Sequence, residues 1–362
     1  MAREFIVPGR MITGSGALDM AETALGSLGK KAMIVTDQVM IQLGNCAKVE
    51  TALKNQGVDY TIFAGITGEP TDVMIHTGLK QYQDEHCDFL VALGGGSPID
   101  SMKAIGSLVV NGGSINDYMG KVIDVKMPPM AAIPTTAGTG SEATQFTIIT
   151  NTEKDIKMLL KGQVLMPTLA IIDPQFTMTA PPKITAATGL DVLAHSFDAM
   201  TSVKANPATD ALALGAAKLA VKYLQRAVKD GQDKEARAGM SQASTIAGLA
   251  FSQTGTTGSH ACSYILTSRY HVPHGEACAF TLDSWLLIDY AKELGFADVA
   301  ELSDWINKLK KEFGMRTTLK EIGAGAEDLA DIVDSSMASG NMTNNIAQIG
   351  REGVMTVFKA KL

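Results

Sequence analysis

Four of the six histidines in this 362-residue chain fall between residues 195 and 274. In the segment GLDVLAHSFDAM, Asp191 and His195 stand four residues apart. On a helix that spacing puts both side chains on one face, within reach of one cation. Further along, GSHACSYILTSRYHVPHGEACA supplies His260, His271 and His274. One carboxylate with several imidazoles is a donor set of borderline hardness, suited to Fe(II), Zn(II) or a similar divalent ion. Taken singly, each of these residues reads equally as a surface, capping or loop residue. Their clustering is what points to a metal.

Two polar turns offer a second chemistry. In LVALGGGSPIDSMKAIG, the glycines Gly94, Gly95 and Gly96 follow an apolar run directly. A helix should start near Ser97 or Pro98, with Asp100 and Lys103 in its first turns. Glycines let a backbone approach a ligand, and the free N–H groups of a helix N-terminus favour phosphate. This turn fits neither the dinucleotide fingerprint nor the Walker A loop, and alone it reads as well as an ordinary strand-to-helix turn. The second turn, PTTAGTGSEAT from Pro134 to Thr144, also follows a strand-like run. Two such turns on one sheet suggest a shared anionic ligand with a pyrophosphate. Asp37 ends the run KKAMIVTD, where a carboxylate can bind a ribose diol or simply cap a helix. A metal without phosphate turns would suggest a hydrolase, and turns without a metal a nucleotide-binding module. Together they suggest a metal that polarises a carbonyl while a nicotinamide supplies hydride.

The elements that must position these groups divide into two kinds. Strands are expected over residues 30–37, 59–66, 87–97, 130–136 and 169–174, with helical segments such as 74–85 between them. That alternation implies βαβ units and a mostly parallel sheet buried on both faces. After Pro181 and Pro182 the strand-like runs nearly vanish, and 208–230 and 234–252 read as long helices. The expected organisation is an α/β nucleotide-binding domain over 1–182 and an all-helical metal-binding domain over 183–362. A cleft between the two is the default ligand site.

Composition sets outer limits. With 46% hydrophobic and 19% charged residues, disorder is not expected. A net charge of −7 lacks the basic footprint that nonspecific nucleic-acid binding needs. No apolar run reaches the length of a membrane span, and MAREFIVPGRM has no signal-peptide core. Cys46, Cys87, Cys262 and Cys278 are scattered without CxxC spacing, which fits a reducing cytoplasm better than a disulfide scaffold.

GGGSPIDSMKAIG, PTTAGTGSEAT, GLDVLAHSFDA and HVPHG, in that order, resemble the iron-containing, or group III, alcohol dehydrogenases. The resemblance implies a dehydroquinate synthase-like fold, with NAD(H) and one divalent metal as cofactors, Fe(II) by family preference and Zn or Mn as substitutes. It assigns Asp191, His195, His260 and His274 to the metal. Gly95, Gly96 and Ser97 match the pyrophosphate loop, with Asp100 in the same motif. Thr135, Thr136 and Thr139 match the second turn, Lys157 a lysine near the nicotinamide ribose, and Asp37 an acid that favours NAD by repelling a 2′-phosphate.

The chain also departs from the family. A further histidine four residues after His260 is replaced by Tyr264, which becomes a candidate for ring contact or proton donation beside simple packing. His271 is the alternative proton relay. A common asparagine is replaced by Gln145 or Phe146, so the substrate pocket is remodelled. The His-Ala-x-Ser-Tyr run before Pro-His-Gly resembles the phosphonoacetaldehyde and sulfoacetaldehyde reductase branch. Arg269 is then a candidate clamp for a substrate anion, with Arg351 a second. The expected activity is NADH-dependent reduction of an anionic two-carbon aldehyde. Lactaldehyde, a propanediol or a simple primary alcohol is the alternative substrate, and a lyase or a sensing module the more distant rival. The family implies a homodimer, and the apolar stretch EFIVPG could pair as a strand across a two-fold edge.

Overall fold

A computed structural model describes residues 3–286 and 290–362. The chain divides into two compact units, Met1–Ala180 and Pro181–Leu362.

The first unit is α/β. Its elements are β1 (Arg10–Thr13), α1 (Ala17–Gly26), β2 (Lys31–Val35), α2 (Gln38–Gln42), α3 (Asn45–Asn55), β3 (Asp59–Phe63), α4 (Asp72–Asp84), β4 (Phe89–Gly94), α5 (Gly96–Asn111), β5 (Met130–Pro134), β6 (Phe146–Asn151), β7 (Ile156–Lys161) and β8 (Leu169–Ile172). Six strands form one parallel sheet in the order β1-β8-β5-β4-β2-β3. The inner strands β2, β4, β5 and β8 read as apolar runs because both faces are covered. Met33, Val35, Leu90 and Ala92 pack with Ile75 of α4 and Ile99, Met102 and Ile105 of α5. Their neighbours Ile34, Val91 and Leu93 point the other way, onto Leu25 of α1 and Val49 and Leu53 of α3. This is the two-residue alternation of a strand, with two cores in place of a core and solvent.

Two features differ from expectation. EFIVPG is not a strand: the first strand begins at Arg10. Pro8 has no N–H to give a ladder, and pairing starts after it, with Gly9 and Arg10 N–H donated to Pro167 and Thr168 carbonyls at 3.2 and 3.0 Å. The antiparallel hairpin β6-β7 was not anticipated. Its residues 146–161 are half polar and carry no two-residue turn signal of the kind that marks a tight hairpin.

The second unit is helical: α6 (Pro182–Met200), α7 (Pro207–Lys229), α8 (Lys234–Thr254), α9 (Gly258–Tyr270), α10 (His274–Leu282), α11 (Val299–Glu312), α12 (Leu329–Ala338) and α13 (Arg351–Lys359). Local signals set these ends. Asn206 caps α7 by accepting from the N–H of Ala208 and Thr209, Thr209 returns the bond, and Pro207 takes the first helical position. Asp233 caps α8 by accepting from the Ala236 N–H. Helix α6 is the axis of the unit: 15 of its 19 residues are buried, against α7, α8, α9 and α10. A second core gathers Phe280, Trp285 and Phe358 with Leu266 and Ile332. Among the described residues no helix is long and apolar enough to cross a membrane.

Candidate metal centre and cofactor turns

Asp191, His195 and Asp198 lie on one face of α6, all fully buried. Helices α9 and α10 bring the other histidines to that face. Glycine makes the approach of α10 feasible: a Cβ on Gly275 would stand 2.3 Å from the Ala187 carbonyl oxygen of α6 and 3.3 Å from Asp191 Cβ. With no side chain there, His274 sits against Asp191. The outer side of α10 is tied down by Glu276, which accepts from Arg316 Nε and Nη2 at 2.7 and 2.9 Å.

The resulting cluster is tight. His260 Nε2 lies 3.6 Å from Asp191 Oδ1, and His195 Nδ1 lies 3.8 Å from Asp191 Oδ2. The His195 and His260 rings are 4.6 Å apart, and His260 and His274 are 5.5 Å apart. Donors bonded to one cation at about 2.0–2.3 Å are themselves separated by about 3.3–3.8 Å. Asp191 Oδ1 and His260 Nε2 are both buried and make no hydrogen bond among the described residues. Such orphans are costly unless something fills the space between them. A divalent cation fits that space, and these residues can hold one.

Electrostatics agree. Burial pushes the Asp191 carboxyl up to about 6, against the pull of His260. Burial opposes charge on His260, yet its neighbours, Cys278 and Asp198 foremost, hold its pKa well above the ordinary value. The cluster is therefore an anionic environment that seeks positive charge.

Three groups around this cluster, Asp198, Phe251 and Cys278, do not stand out in the sequence. Asp198 Oδ2 lies 2.7 Å from His260 Nδ1. A carboxylate only accepts, so the imidazole donates from Nδ1 and turns Nε2 toward Asp191. Asp198 is itself fixed by the Thr257 N–H and the Ser259 hydroxyl, both at 2.8 Å. Phe251 of α8 stacks on the His195 ring at 4.0 Å and 10° and sets its plane. Cys278 lies beside His274, with Sγ 3.7 Å from Nε2. The signal for Asp198 and Cys278 is helical spacing: Asp198 stands seven residues after Asp191, and Cys278 four after His274.

The remaining predicted residues of this unit separate. Tyr264 follows His260 by one turn of α9 and is partly buried, and its hydroxyl accepts from Asn341 Nδ2 at 3.0 Å. Arg269 does not join the cluster. Nine residues after His260, at about 100° each, put it on the opposite face of α9. There it is exposed and ion-paired with Asp331. Arg351 is likewise exposed, 2.6 Å from Asp334. His271 is the exposed C-cap of α9 with φ of 53°, a left-handed position that ends the helix. Neither the anion clamp nor the histidine relay is therefore placed at the cluster.

In the first unit, the candidate turns and Asp37 follow the carboxyl ends of the adjacent strands β5, β4 and β2, the usual ligand edge of an open parallel sheet. Gly94 ends β4, and a Cβ there would stand 2.4 Å from Pro98 Cγ, so only glycine fits. Gly95 caps α5 without a side-chain hydrogen bond, leaving the first-turn N–H groups, Ser97 included, without a side-chain cap. The second turn lies against the first: a Cβ on Gly95 would be 3.2 Å from Thr136 Oγ1, and one on Gly96 would be 3.0 Å from Thr139 Cγ2. Thr135 N–H donates to the Gly94 carbonyl at 2.9 Å. Lys103 locks the second turn. Its fully buried ammonium donates to the carbonyls of Ser141, Thr144 and Phe146 at 2.7, 2.8 and 2.9 Å. Burial lowers its pKa to about 8, while Asp100 and Glu142 work in the opposite direction. Asp100 accepts from the Ile148 N–H at 2.8 Å, and burial pushes its carboxyl up to about 6. Asp37 follows β2 on the same edge and caps α2, accepting from the Met40 N–H at 2.9 Å. Lys157 pairs with Glu69 at 2.5 Å. Gln145 and Phe146 are half-buried at the start of the β6-β7 hairpin, and the Gln145 carbonyl accepts from the Gly162 N–H at 3.1 Å.

Comparison with known proteins identifies the family. Residues 8–174 match the iron-containing alcohol dehydrogenase family, and 185–362 match the C-terminal model of the Fe-containing alcohol dehydrogenase family. The chain is 36% identical to the NAD-dependent methanol dehydrogenase of Bacillus methanolicus over 90% of this chain and 91% of that one. It is 32% identical to the 1,3-propanediol dehydrogenase of Citrobacter freundii over 98% of both. Among solved structures, sulfoacetaldehyde reductase from Bifidobacterium kashiwanohense in complex with NAD+ superposes with a TM-score of 0.92. It has 36% identity and covers 100% of this chain and 99% of that one. The chain therefore belongs to the iron-containing alcohol dehydrogenases, NAD(H)-dependent oxidoreductases that use a metal.

Proposed function

We propose that this protein reduces a small aldehyde to its alcohol, with an anionic two-carbon aldehyde such as sulfoacetaldehyde or phosphonoacetaldehyde as the favoured substrate. The observation that carries the substrate reading is the whole-chain likeness to a sulfoacetaldehyde reductase. When bound, NAD(H) supplies hydride, and the divalent metal, Fe(II) by preference and Zn or Mn in substitution, supplies Lewis-acid polarisation of a carbonyl oxygen.

The chain's own residues do the rest. Asp191, His195, His260 and His274 hold the cation, with Asp198 and Phe251 fixing two of the rings. Gly95, Gly96 and Ser97 give backbone N–H groups to a pyrophosphate, and Asp100 and Lys103 keep that turn in register with Thr135, Thr136 and Thr139. Asp37 takes the ribose diol, and Lys157 stands near the nicotinamide ribose. Tyr264, with its hydroxyl held by Asn341, is the proton donor in place of a histidine. Gln145 and Phe146 shape the substrate pocket. The chain acts in the cytoplasm as a homodimer. The free edge of β1, with Phe5 and Val7 exposed just before it, supports the pairing, and light scattering at the monomer mass would remove it.

A neutral substrate, such as lactaldehyde, a propanediol or a simple primary alcohol, is the second reading. The surface pairing of Arg269 with Asp331 favours it. The test is NADH oxidation with sulfoacetaldehyde, phosphonoacetaldehyde, lactaldehyde and propionaldehyde, compared by kcat/KM. Anionic aldehydes ahead by more than about a hundredfold, some 3 kcal/mol, support the first reading. Neutral aldehydes ahead overturn it.

A further inference from the structure

We propose that Cys278 is an additional ligand of the metal centre, a thiolate that makes the site softer than its aspartate and histidines alone would. This rests on the reading that the cluster around Asp191 holds a cation.

The geometry points to Cys278 and to no other cysteine. One donor atom each from Asp191, His260, His274 and Cys278 lies within 4.8 Å of all the others. Cys278 Sγ is 3.7 Å from His274 Nε2, next to the 3.6 Å between His260 Nε2 and Asp191 Oδ1. A sulfur at about 2.3 Å and a nitrogen at about 2.0 Å from one cation, near the tetrahedral angle, are about 3.5 Å apart. The observed spacing is that of co-ligands. Cys278 is fully buried, one turn after His274 on the same face of α10. An independent observation marks the space as a ligand's place: Asp191 Oδ1 and His260 Nε2 are buried around it without a hydrogen-bond partner among the described residues. Cys46, Cys87 and Cys262 are also buried and free, and none belongs to such a group among the described residues.

The chemical consequence follows from softness. As sulfur binds the cation, the thiol proton passes to solvent and one sulfur–metal bond forms. Thiolate ligands favour Zn(II) and Co(II) over harder ions such as Mn(II). The site thus discriminates among metals by a residue four positions beyond its last histidine.

The experiment is cobalt substitution. Metal-free wild-type protein is titrated with Co(II) and followed by visible and near-ultraviolet absorption, beside Cys278→Ser, Cys278→Ala and Cys262→Ser. The expected result is visible d–d bands saturating at one Co(II) per chain, with a near-ultraviolet thiolate-to-Co(II) band. That band persists in Cys262→Ser and vanishes in both Cys278 variants. The Zn(II)-to-Mn(II) affinity ratio falls by about tenfold or more in Cys278→Ser. Stoichiometric d–d bands with no charge-transfer band in the wild type overturn the thiolate ligand and leave the cation site standing. Absence of any stoichiometric Co(II) binding overturns both. The wild-type spectrum alone decides the matter if the variants fail to fold.

Discussion

Asp198→Asn is the sharpest single perturbation of the metal centre, because it removes a charge and almost nothing else. Asp198 accepts three hydrogen bonds: from His260 Nδ1 at 2.7 Å and from Thr257 N and Ser259 Oγ at 2.8 Å. The first two reach the same oxygen. An asparagine whose amide oxygen takes that position keeps both, and its NH2 donates to a Ser259 hydroxyl that rotates to accept. What is lost is the carboxylate that makes His260 a stronger donor and favours the Nδ1–H tautomer. Losing such a partner of a metal-bound histidine costs about 10–100-fold in metal affinity. With all three hydrogen bonds retained, the lower part of that range applies, about 10–30-fold, or 1.4–2 kcal/mol. Asp198→Ala instead strands three buried donors and should destabilise the second unit by about 3–5 kcal/mol. The assay is competition for Zn(II) with a chromophoric chelator at neutral pH, with thermal melting of the metal-free variant as a check on folding. A well-folded Asp198→Asn protein that binds Zn(II) within about twofold of wild type would refute the orienting role.

Three further outcomes are expected. Gly275→Ala drives a methyl group into the Ala187 carbonyl and separates α10 from α6; melting and Zn(II) competition should show a loss of about 1–3 kcal/mol in stability together with weakened metal binding. His271→Gly relieves a left-handed backbone position, so its stability in urea should stay level or rise by up to about 1 kcal/mol, with kcat unchanged; a tenfold fall in kcat with a lost pH limb would restore the relay. Lys103 has a folded pKa of about 8 against an ordinary 10.5, so between those values the unfolded chain binds the extra proton and stability rises with pH. Relative to Lys103→Met, the wild type should therefore gain up to about 3 kcal/mol from pH 8 to pH 10.5 in denaturant titrations, and a flat difference would contradict its burial as a charged group.

Periodicity explains which parts of this molecule were legible in its sequence. The inner sheet strands are readable as apolar runs because both of their faces are buried, and the long helices because their apolar positions recur with the helical period. Strand β1 was misplaced by a few residues because EFIV is apolar, whereas the missing N–H of Pro8 decides where pairing starts. Asp191 and His195 were visible as a pair because four residues is one helical turn. Asp198 shares their face, but an acid seven residues on carries no metal signal of its own, since acids are usually exposed. Cys278 was weighed only for CxxC spacing, although it stands one turn beyond His274. Arg269 was chosen for its charge and its place between two histidines, and the phase of α9 carries it to the far side. Residue type suggested the chemistry, and helical phase decided which residues meet.

The dependence of turnover on one metal ion held by Asp191, His195, His260 and His274 underlies the proposed function. It is tested most directly by stripping the protein with a chelator and restoring Fe(II) or Zn(II) in sub-stoichiometric steps while following NADH oxidation with the best aldehyde. The expected result is negligible activity in the stripped enzyme, a linear recovery that breaks at one equivalent per chain, and no recovery in His260→Ala. Full activity in stripped protein, or recovery in His260→Ala equal to wild type, would contradict it.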